Sequence, residues 1–241
     1  TADCFDNCPY WPYDCSRDGT TITVAVGQSI RLAVDAVPAG GTVEIAVGTF
    51  QVGGVIDPGG KAVTIRGATD ESGVLLTVLD GGDSTRMLQC VSGEGPDTIF
   101  ENLVIQNGFN RLEGGGMYNA SSSPTLTNCM FTNNSASSGG GMYNTGSSPI
   151  LTGCDLCGNS PNQIVGDYTE KGVNCITEVC DTDGDGIPDC TDIEECDGLD
   201  NDCDGVVDEG TTGYDDDGDG YTEYGGDCDD ADPDVNPALG G

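Results

Sequence analysis

Between Asp181 and Asp192, carboxylates occupy positions 1, 3, 5, 9 and 12 of a short loop: Asp181, Asp183, Asp185, Asp189 and Asp192, with Gly186 at position 6. This spacing turns alternate side chains inward around a hard divalent cation. The glycine permits the sharp bend, and position 7, Ile187, offers its carbonyl. A second copy supplies Asp215, Asp217, Asp219 and the carbonyl of Tyr221; its twelfth position is Gly226, so Asp227 is the expected closing ligand. A more compact third loop offers Asp200, Asp202, Asp204, the carbonyl of Val206, and Asp208. Asp227, Asp229 and Asp232 either form a fourth site or complete the third. The chemistry expected here is binding of several Ca2+ ions, with binding energy becoming folding energy. The competing reading is an unstructured acidic tail, against which stand the regular spacing and the interleaved cysteines.

These loops lie in a segment, 176–241, that holds 24 of the 42 acidic residues and no Lys or Arg. The whole chain has 241 residues, 7 Lys+Arg and a formal charge of -35. Nucleic acid and anionic membrane need basic patches and are not expected partners, and no apolar run is long enough to span a bilayer. Thirteen cysteines without one histidine favour disulfides in an oxidising compartment, hence a secreted or cell-surface protein. The absence of an initiator Met at Thr1 reads as a processed, mature chain. The odd cysteine count leaves one thiol free or bonded to another chain.

The element that must position all this is a repeat. Gly114-Gly115-Gly116-Met117-Tyr118-Asn119 returns as Gly139-Gly140-Gly141-Met142-Tyr143-Asn144. Ser122-Ser123-Pro124 returns as Ser147-Ser148-Pro149, Leu126 as Leu151, Cys129 as Cys154 and Phe131 as Leu156. A fixed period of this size marks a solenoid, and Gly triplets with Ser-Ser-Pro runs exclude a helix. Each copy is therefore expected to be one turn of a parallel β-solenoid. Aligning Asn102 with Asn128 predicts interior stacks of Leu103, Cys129 and Cys154, of Ile105, Phe131 and Leu156, and of Leu126 and Leu151. The repeated Met and Tyr are expected in core rows as well. Asn102 over Asn128 should bond amide to amide at a bend, with Gly153 ending that ladder. Cys129 and Cys154, one turn apart, suit either a disulfide or two buried thiols.

The first half is less regular but compatible. Val43, Ile45 and Val47 alternate, as do Val63 and Ile65; further pieces run from Val74 to Leu79, Met87 to Val91 and Ile99 to Ile105. Ser29 can cap a helix whose Ile30, Val34 and Val37 share one face, ended by Pro38. With Cys4, Cys8, Cys15, Phe5, Tyr10, Trp11 and Tyr13 ahead of it, that helix is expected to close the N-terminal end. Residues 160–180, together with Cys157, Cys175 and Cys180, are expected to close the other end and lead out. The organisation is then an N-terminal cysteine/aromatic segment and capping helix (1–41), a β-helix (42–175) and an acidic metal-binding module (176–241).

Two resemblances support this. Thr42-Val43-Glu44-Ile45-Ala46-Val47-Gly48-Thr49-Phe50, Val63-Thr64-Ile65-Arg66-Gly67, Val78-Leu79-Asp80-Gly81-Gly82 and the two Gly-Gly-Gly-Met-Tyr-Asn copies resemble the right-handed parallel β-helix family over roughly residues 25–165. That implies an all-β solenoid while leaving function open, since the family holds polysaccharide lyases, glycoside hydrolases, adhesins and surface proteins. The first acidic loop resembles a thrombospondin type 3 or dockerin-type calcium repeat. Glu195-Cys196-Asp197-Gly198-Leu199-Asp200-Asn201-Asp202-Cys203-Asp204-Gly205, with Asp217-Gly218-Asp219-Gly220-Tyr221 and Gly226-Asp227-Cys228-Asp229-Asp230-Ala231-Asp232-Pro233, is similar to the metal-binding motif of MopE-type surface proteins. That family name implies copper. Copper wants imidazole or soft sulfur, and a chain with no histidine favours calcium instead.

No Ser/His or Cys/His nucleophile is possible without histidine. Asp80, Asp83 and Arg86 are the nearest thing to a catalytic cluster, and Asp80-Gly81-Gly82-Asp83 reads equally as a turn. Asn119 and Asn133 begin Asn-X-Ser triplets and could carry glycans, though turn roles are expected. The leading expectation is a non-enzymatic, exported, calcium-stabilised structural protein of the cell surface or matrix that assembles with copies of itself, as in a filament. The alternatives are an adhesin or carbohydrate-binding protein using Tyr118 and Tyr143, and a polysaccharide-degrading β-helix enzyme.

Overall fold

The computed structural model describes residues 14–15, 19–71, 73–172 and 174–176, the first pair by backbone. The chain divides after Glu178, and every described residue belongs to the first unit. The described residues form an all-β parallel solenoid of about six turns with one short helix. In chain order the elements are β1 (Asp14–Cys15), β2 (Thr21–Val24), α1 (Ile30–Ala36), β3 (Thr42–Ile45), β4 (Gly48–Gln51), β5 (Thr64–Arg66), β6 (Thr77–Asp80), β7 (Leu88–Cys90) and β8 (Ile99–Gln106). They continue with β9 (Met117–Ala120), β10 (Thr125–Thr132), β11 (Met142–Thr145), β12 (Ile150–Thr152), β13 (Asp155–Cys157), β14 (Ile164–Val165), β15 (Thr169–Glu170) and β16 (Cys175–Ile176).

Three faces result. Strands β2, β3, β5, the first half of β8, the first half of β10, β12 and β15 stack in parallel on one. The second holds β4, β6, the other halves of β8 and β10, β13 and β16. The third is the four-stranded sheet β7, β9, β11, β14. Strands β8 and β10 join the first two faces because each bends midway, at Asn102 and Asn128, whose φ values are 58° and 49°. Gly153 takes the same left-handed conformation one turn on, and Asn107, Asn133 and Gly158 repeat it at the next corner. Asn and Gly recur at these corners because they enter the left-handed region at least cost.

Inside, registered strands place like over like. Ile22, Val43, Ile65, Phe100, Leu126 and Leu151 form one fully buried column. Phe50, Leu79, Ile105, Phe131, Leu156 and Ile176 form a second, and Leu88, Met117, Met142 and Ile164 a third. The repeat register is therefore as expected, including Cys129 over Leu103 and Leu126 over Leu151. Each apolar column is continuous at strand spacing, about 4.8 Å per turn.

The repeated glycines have two roles. Gly114 and Gly139 are left-handed, at φ 61° and 59°. Gly115, Gly116, Gly140 and Gly141 instead have no room for a Cβ, which would meet backbone of the next turn, such as Gly141 O above Gly116.

Several expectations are corrected. Tyr118 and Tyr143 are not core rows: they alternate with buried Met117 and Met142 and point outward, half-buried. Val47 breaks the alternation and is 57% exposed, because the chain turns a corner between β3 and β4. Only Thr77–Asp80 of the piece beginning at Val74 is strand; Val74 is exposed, on a small excursion pinned by an antiparallel bridge from Thr69 to Leu75. Beyond these corrections, the described residues between 160 and 176 continue the solenoid, with β14, β15 and β16 stacked on β11, β12 and β13. Of the two arrangements open for Cys129 and Cys154, the structure has buried free thiols, and Cys90 is a third.

Helix α1 forms as its signals require. Ser29 is the N-cap, its hydroxyl accepting from Leu32 N at 3.3 Å, and Val37 ends the helix ahead of Pro38. Ile30, Ala33 and Val34 are buried against β2 and β3. Its C-terminal carbonyls have an unforeseen partner: Lys61 Nζ donates to Val34 O and, at 3.1 Å each, to Asp35 O and Val37 O. A cation there satisfies orphan carbonyls and the negative end of the helix dipole. The parallel stack begins with β2, ahead of Thr42.

Candidate functional site

The expected metal ligands, Asp181, Asp183, Asp185, Ile187, Asp189, Asp192, Asp200, Asp202, Asp204, Val206, Asp208, Asp215, Asp217, Asp219, Tyr221, Asp227, Asp229 and Asp232, all lie outside the described residues. So do Phe5, Tyr10, Trp11 and Tyr13. Among the described residues, no group of three or more Cys, Asp or Glu could hold a metal ion.

Asp80, Asp83 and Arg86 are engaged separately. Asp80 Oδ1 accepts from Gly82 N at 2.8 Å, the Asx turn its motif suggested, and Asp83 takes φ 53°. Asp80 also accepts from Gln106 Nε2 and Asn107 Nδ2 of the next turn. Burial alone would raise its pKa; the bonds from Gly82, Asn107, Gln106 and Gln51 outweigh that and lower it. Arg86 donates from Nε to Gly114 O at 3.0 Å and from Nη2 to Glu113 O at 2.7 Å. Among the described residues, ion pairs join Arg66 to Glu44 and to Glu101, and none joins Arg86 to Asp80 or Asp83.

The Tyr pair forms an outward stack. Register places Gln89, Tyr118, Tyr143 and Val165 in one line along the third face. The two rings are 5.9 Å apart with planes 10° from parallel, and the Arg86 guanidinium carbon lies 4.5 Å from the Tyr118 centroid. Tyr118 thus has Tyr143 from the following turn on one side and Arg86 from the preceding turn on the other. A sugar-binding platform needs an aromatic face open to solvent, and both faces of Tyr118 are covered. The Tyr143 hydroxyl, beside Glu113, is held above its ordinary pKa by that carboxylate's charge.

The two glycan-acceptor triplets part company. Asn133 is exposed at a left-handed corner, as a turn role requires. Asn119 is a correction: it lies in β9, fully buried, with Nδ2 donating to Asn144 Oδ1 at 2.9 Å. Its amide nitrogen faces the core and cannot carry a sugar in the folded chain. Its Oδ1 has no hydrogen-bond partner among the described residues, and the side chain heads a ladder that runs through Asn144 to Asp167 O.

The polar residues that the sequence reading missed are interior and run from turn to turn. Asn134 Oδ1 accepts from Gly108 N at 2.8 Å, and its Nδ2 donates to Ile105 O and Asn159 Oδ1, each at 2.9 Å. Asn159 Nδ2 in turn donates to Phe131 O and to Gln163 Oε1, each at 2.7 Å. Glu94, 2% exposed, accepts from Gly60 N, Ser92 N and Ser122 Oγ, and Ser122 N donates to Ser147 Oγ. Burial pushes the Glu94 carboxyl up, but these bonds overcome it and hold its pKa low. The signal that could have found the amide ladder was present: Asn134 and Asn159 share the repeat register. The expected ladder at Asn102 and Asn128 is also there, at 2.9 Å.

No family model matches the chain, and neither the curated proteins nor the solved structures give a match. No helix among the described residues is long and apolar enough to cross a membrane.

Proposed function

We propose that this chain is an exported structural protein of the cell surface or extracellular matrix, a right-handed β-helical rod with a calcium-locked acidic module, built to assemble with copies of itself. The observation that carries the reading is the employment of the rod's polar chemistry. Arg86, Lys61, Asp80, Glu94, Asn134 and Asn159 are all engaged in bonds to neighbouring turns or to a helix end. Groups that an enzyme or lectin would leave facing a ligand serve rigidity here.

Calcium is the preferred ion for the acidic module on the chemistry of its donors: alternating carboxylates with a backbone carbonyl suit a hard cation, and copper finds no imidazole. Without the ion, self-repulsion among these carboxylates opposes compaction. The adhesin alternative draws less support, because the Tyr118 ring is covered on both faces.

Chelation tests the reading. EDTA should speed amide exchange throughout 176–241 and remove a low-temperature melting transition, leaving exchange in β3 to β13 unchanged; added Ca2+ should restore both. A melting curve and exchange pattern indifferent to EDTA would sink the calcium lock.

A further inference from the structure

We infer that strand β4 and the outer face of helix α1 form a self-association surface, on which a second copy of this chain pairs antiparallel, edge to edge, about a two-fold axis. This rests on the reading that the chain assembles, and it names the contact.

Four observations converge on one end of the rod. First, among the described residues β4 has an open edge. Gly48 N donates to Leu76 O, just ahead of β6, and Val52 N to Asp80 O at its end. The alternate residues Thr49 and Gln51 therefore direct their backbone N–H and C=O groups away from β6, and among the described residues β4 pairs with β6 alone. On the neighbouring face, by contrast, β1 covers the edge of β2, and it does so antiparallel.

Second, the edge is unprotected. From Gly48 to Ile56 there is no charged residue and no proline, in a chain whose formal charge is -35. Natural edge strands are ordinarily blunted by charge, proline or a bulge, and an edge without them invites pairing. Third, apolar side chains gather beside it. Val26 is 60% exposed and Val47 is 57% exposed, and Leu32 stands exposed on α1. Val26 reaches the strand itself, since a Cβ on Gly48 would lie 2.8 Å from its Cγ2.

Fourth, the charges beside the edge are self-complementary. Arg31 and Asp35, one turn apart on the exposed side of α1, enter no ion pair among the described residues. The Arg31 guanidinium lies against Gly54, where a Cβ would come within 2.8 Å of Nη1, so the glycine makes its seat. It lines both the open groove of about 470 Å³ between Val26 and β4 and the smaller hollow, about 370 Å³, that includes Asp35. Under two-fold symmetry a patch meets itself, so Arg31 of each copy can face Asp35 of the partner subunit, giving two such pairs. Antiparallel pairing centred on Phe50 sets Thr49 opposite Gln51 of the partner subunit, joining the unpaired backbone groups. One strand pair with a few side chains is a small contact, so a weak, concentration-dependent dimer is expected rather than an obligate one.

Sedimentation of the full chain, in Ca2+ and separately in EDTA, should show a monomer–dimer equilibrium. Gln51→Pro removes an outward N–H and spares the backbone bonds to β6, with Gln51→Ala as the control for the lost side-chain bond to Asp80, and Arg31→Asp sets like charges against each other. Gln51→Pro and Arg31→Asp should each raise the dissociation constant at least about tenfold. Arg31→Asp combined with Asp35→Arg should recover dimerisation, a rescue that mere misfolding cannot imitate. Amide exchange at Thr49 and Gln51 should slow as concentration rises.

A monomer at every concentration up to about 500 µM overturns both the contact and the assembly reading. Association untouched by Gln51→Pro and by Arg31→Asp overturns this contact and leaves assembly standing. Thr49 and Gln51 amides protected equally at high dilution overturn it too, because a segment of the same chain then occupies the edge.

Discussion

Replacing Asn134 by alanine should cost the rod about as much as deleting a large apolar side chain from its core. The side chain is fully buried and makes three hydrogen bonds through its amide, to Gly108 N, Ile105 O and Asn159 Oδ1. Truncation strands the Gly108 N–H in a site that water cannot reach, at about 1–3 kcal/mol, and removes two further bonds at about 0.5–1.5 kcal/mol each. The expected loss is about 2–6 kcal/mol, against a total of about 5–15 kcal/mol for an ordinary domain. Because neighbouring turns contribute separately in a solenoid, the loss should also be local, centred on the turns holding Gly108 and Asn159.

Two measurements check this: urea unfolding followed by far-UV circular dichroism, and site-resolved amide exchange at Gly108. Asn133→Gly, at the exposed left-handed corner next door, is the control and should move stability by no more than about 0.5 kcal/mol. Asn134→Asp adds a sharper test. Its carboxylate can still accept from Gly108 N, but it loses the amide donor and sets a charge against Ile105 O and Asn159 Oδ1. It should therefore be less damaging when protonated at low pH. A loss below about 1 kcal/mol for Asn134→Ala would show that the ladder decorates the core rather than holding it.

Further perturbations follow from the same turn-to-turn geometry. Gly153 continues the left-handed corner of Asn102 and Asn128, and a Cβ there meets nothing nearer than 4.0 Å; Gly153→Asn should extend the amide ladder and raise stability by about 1 kcal/mol. A lower melting temperature for that variant would refute the ladder's contribution, and Gly153→Val, strained at this φ, should be destabilised. Burial lifts the Asp155 carboxyl to about 6 from its ordinary 3.8. A carboxyl raised in the fold favours the folded state while protonated, so Asp155 costs stability progressively as pH climbs from about 4 to above 6. Asp155→Asn should therefore raise the melting temperature at pH 7 and change it little at pH 4; an equal gain at both would assign the effect to packing instead of charge.

What the sequence made legible was whatever repeats with period and polarity together. Leu126 over Leu151 and Phe131 over Leu156 could be aligned because an apolar residue recurs at one register, and a buried column is the cheapest use of such a recurrence. Asn102 over Asn128 was legible because asparagine at a bend has a known stacking role. Asn134 and Asn159 recur just as faithfully, yet polar residues between strands read as loop until the fold shows that the corner closes over them. Glu94 carries no repeat signal, for its partners Gly60, Ser92 and Ser122 come from three separate segments. Tyr118 and Tyr143 show the opposite case: they repeat, and repetition alone does not distinguish an inward row from an outward one. Strict two-residue alternation from Met117 would have turned them outward.

If each turn is held mainly by its two neighbours, an end turn loses about half of its inter-turn stabilisation, and the molecule must cover that edge or leave it to fray. At the N-terminal end the cover is uneven. The first face gains β1, and α1 lays Ile30, Ala33 and Val34 over β2 and β3. Among the described residues the second face begins at β4, with Phe50 only 4% exposed beneath it, a finished core under an edge that no described strand pairs with. A strand added there would bury no new column but would satisfy outward backbone groups on a core that is already paid for by folding. Self-pairing at β4 is therefore expected to stabilise the first turns as it forms the dimer. Exchange protection in β4 and β6 should rise together with association, while β10 and β12, flanked by turns on both sides, should not respond.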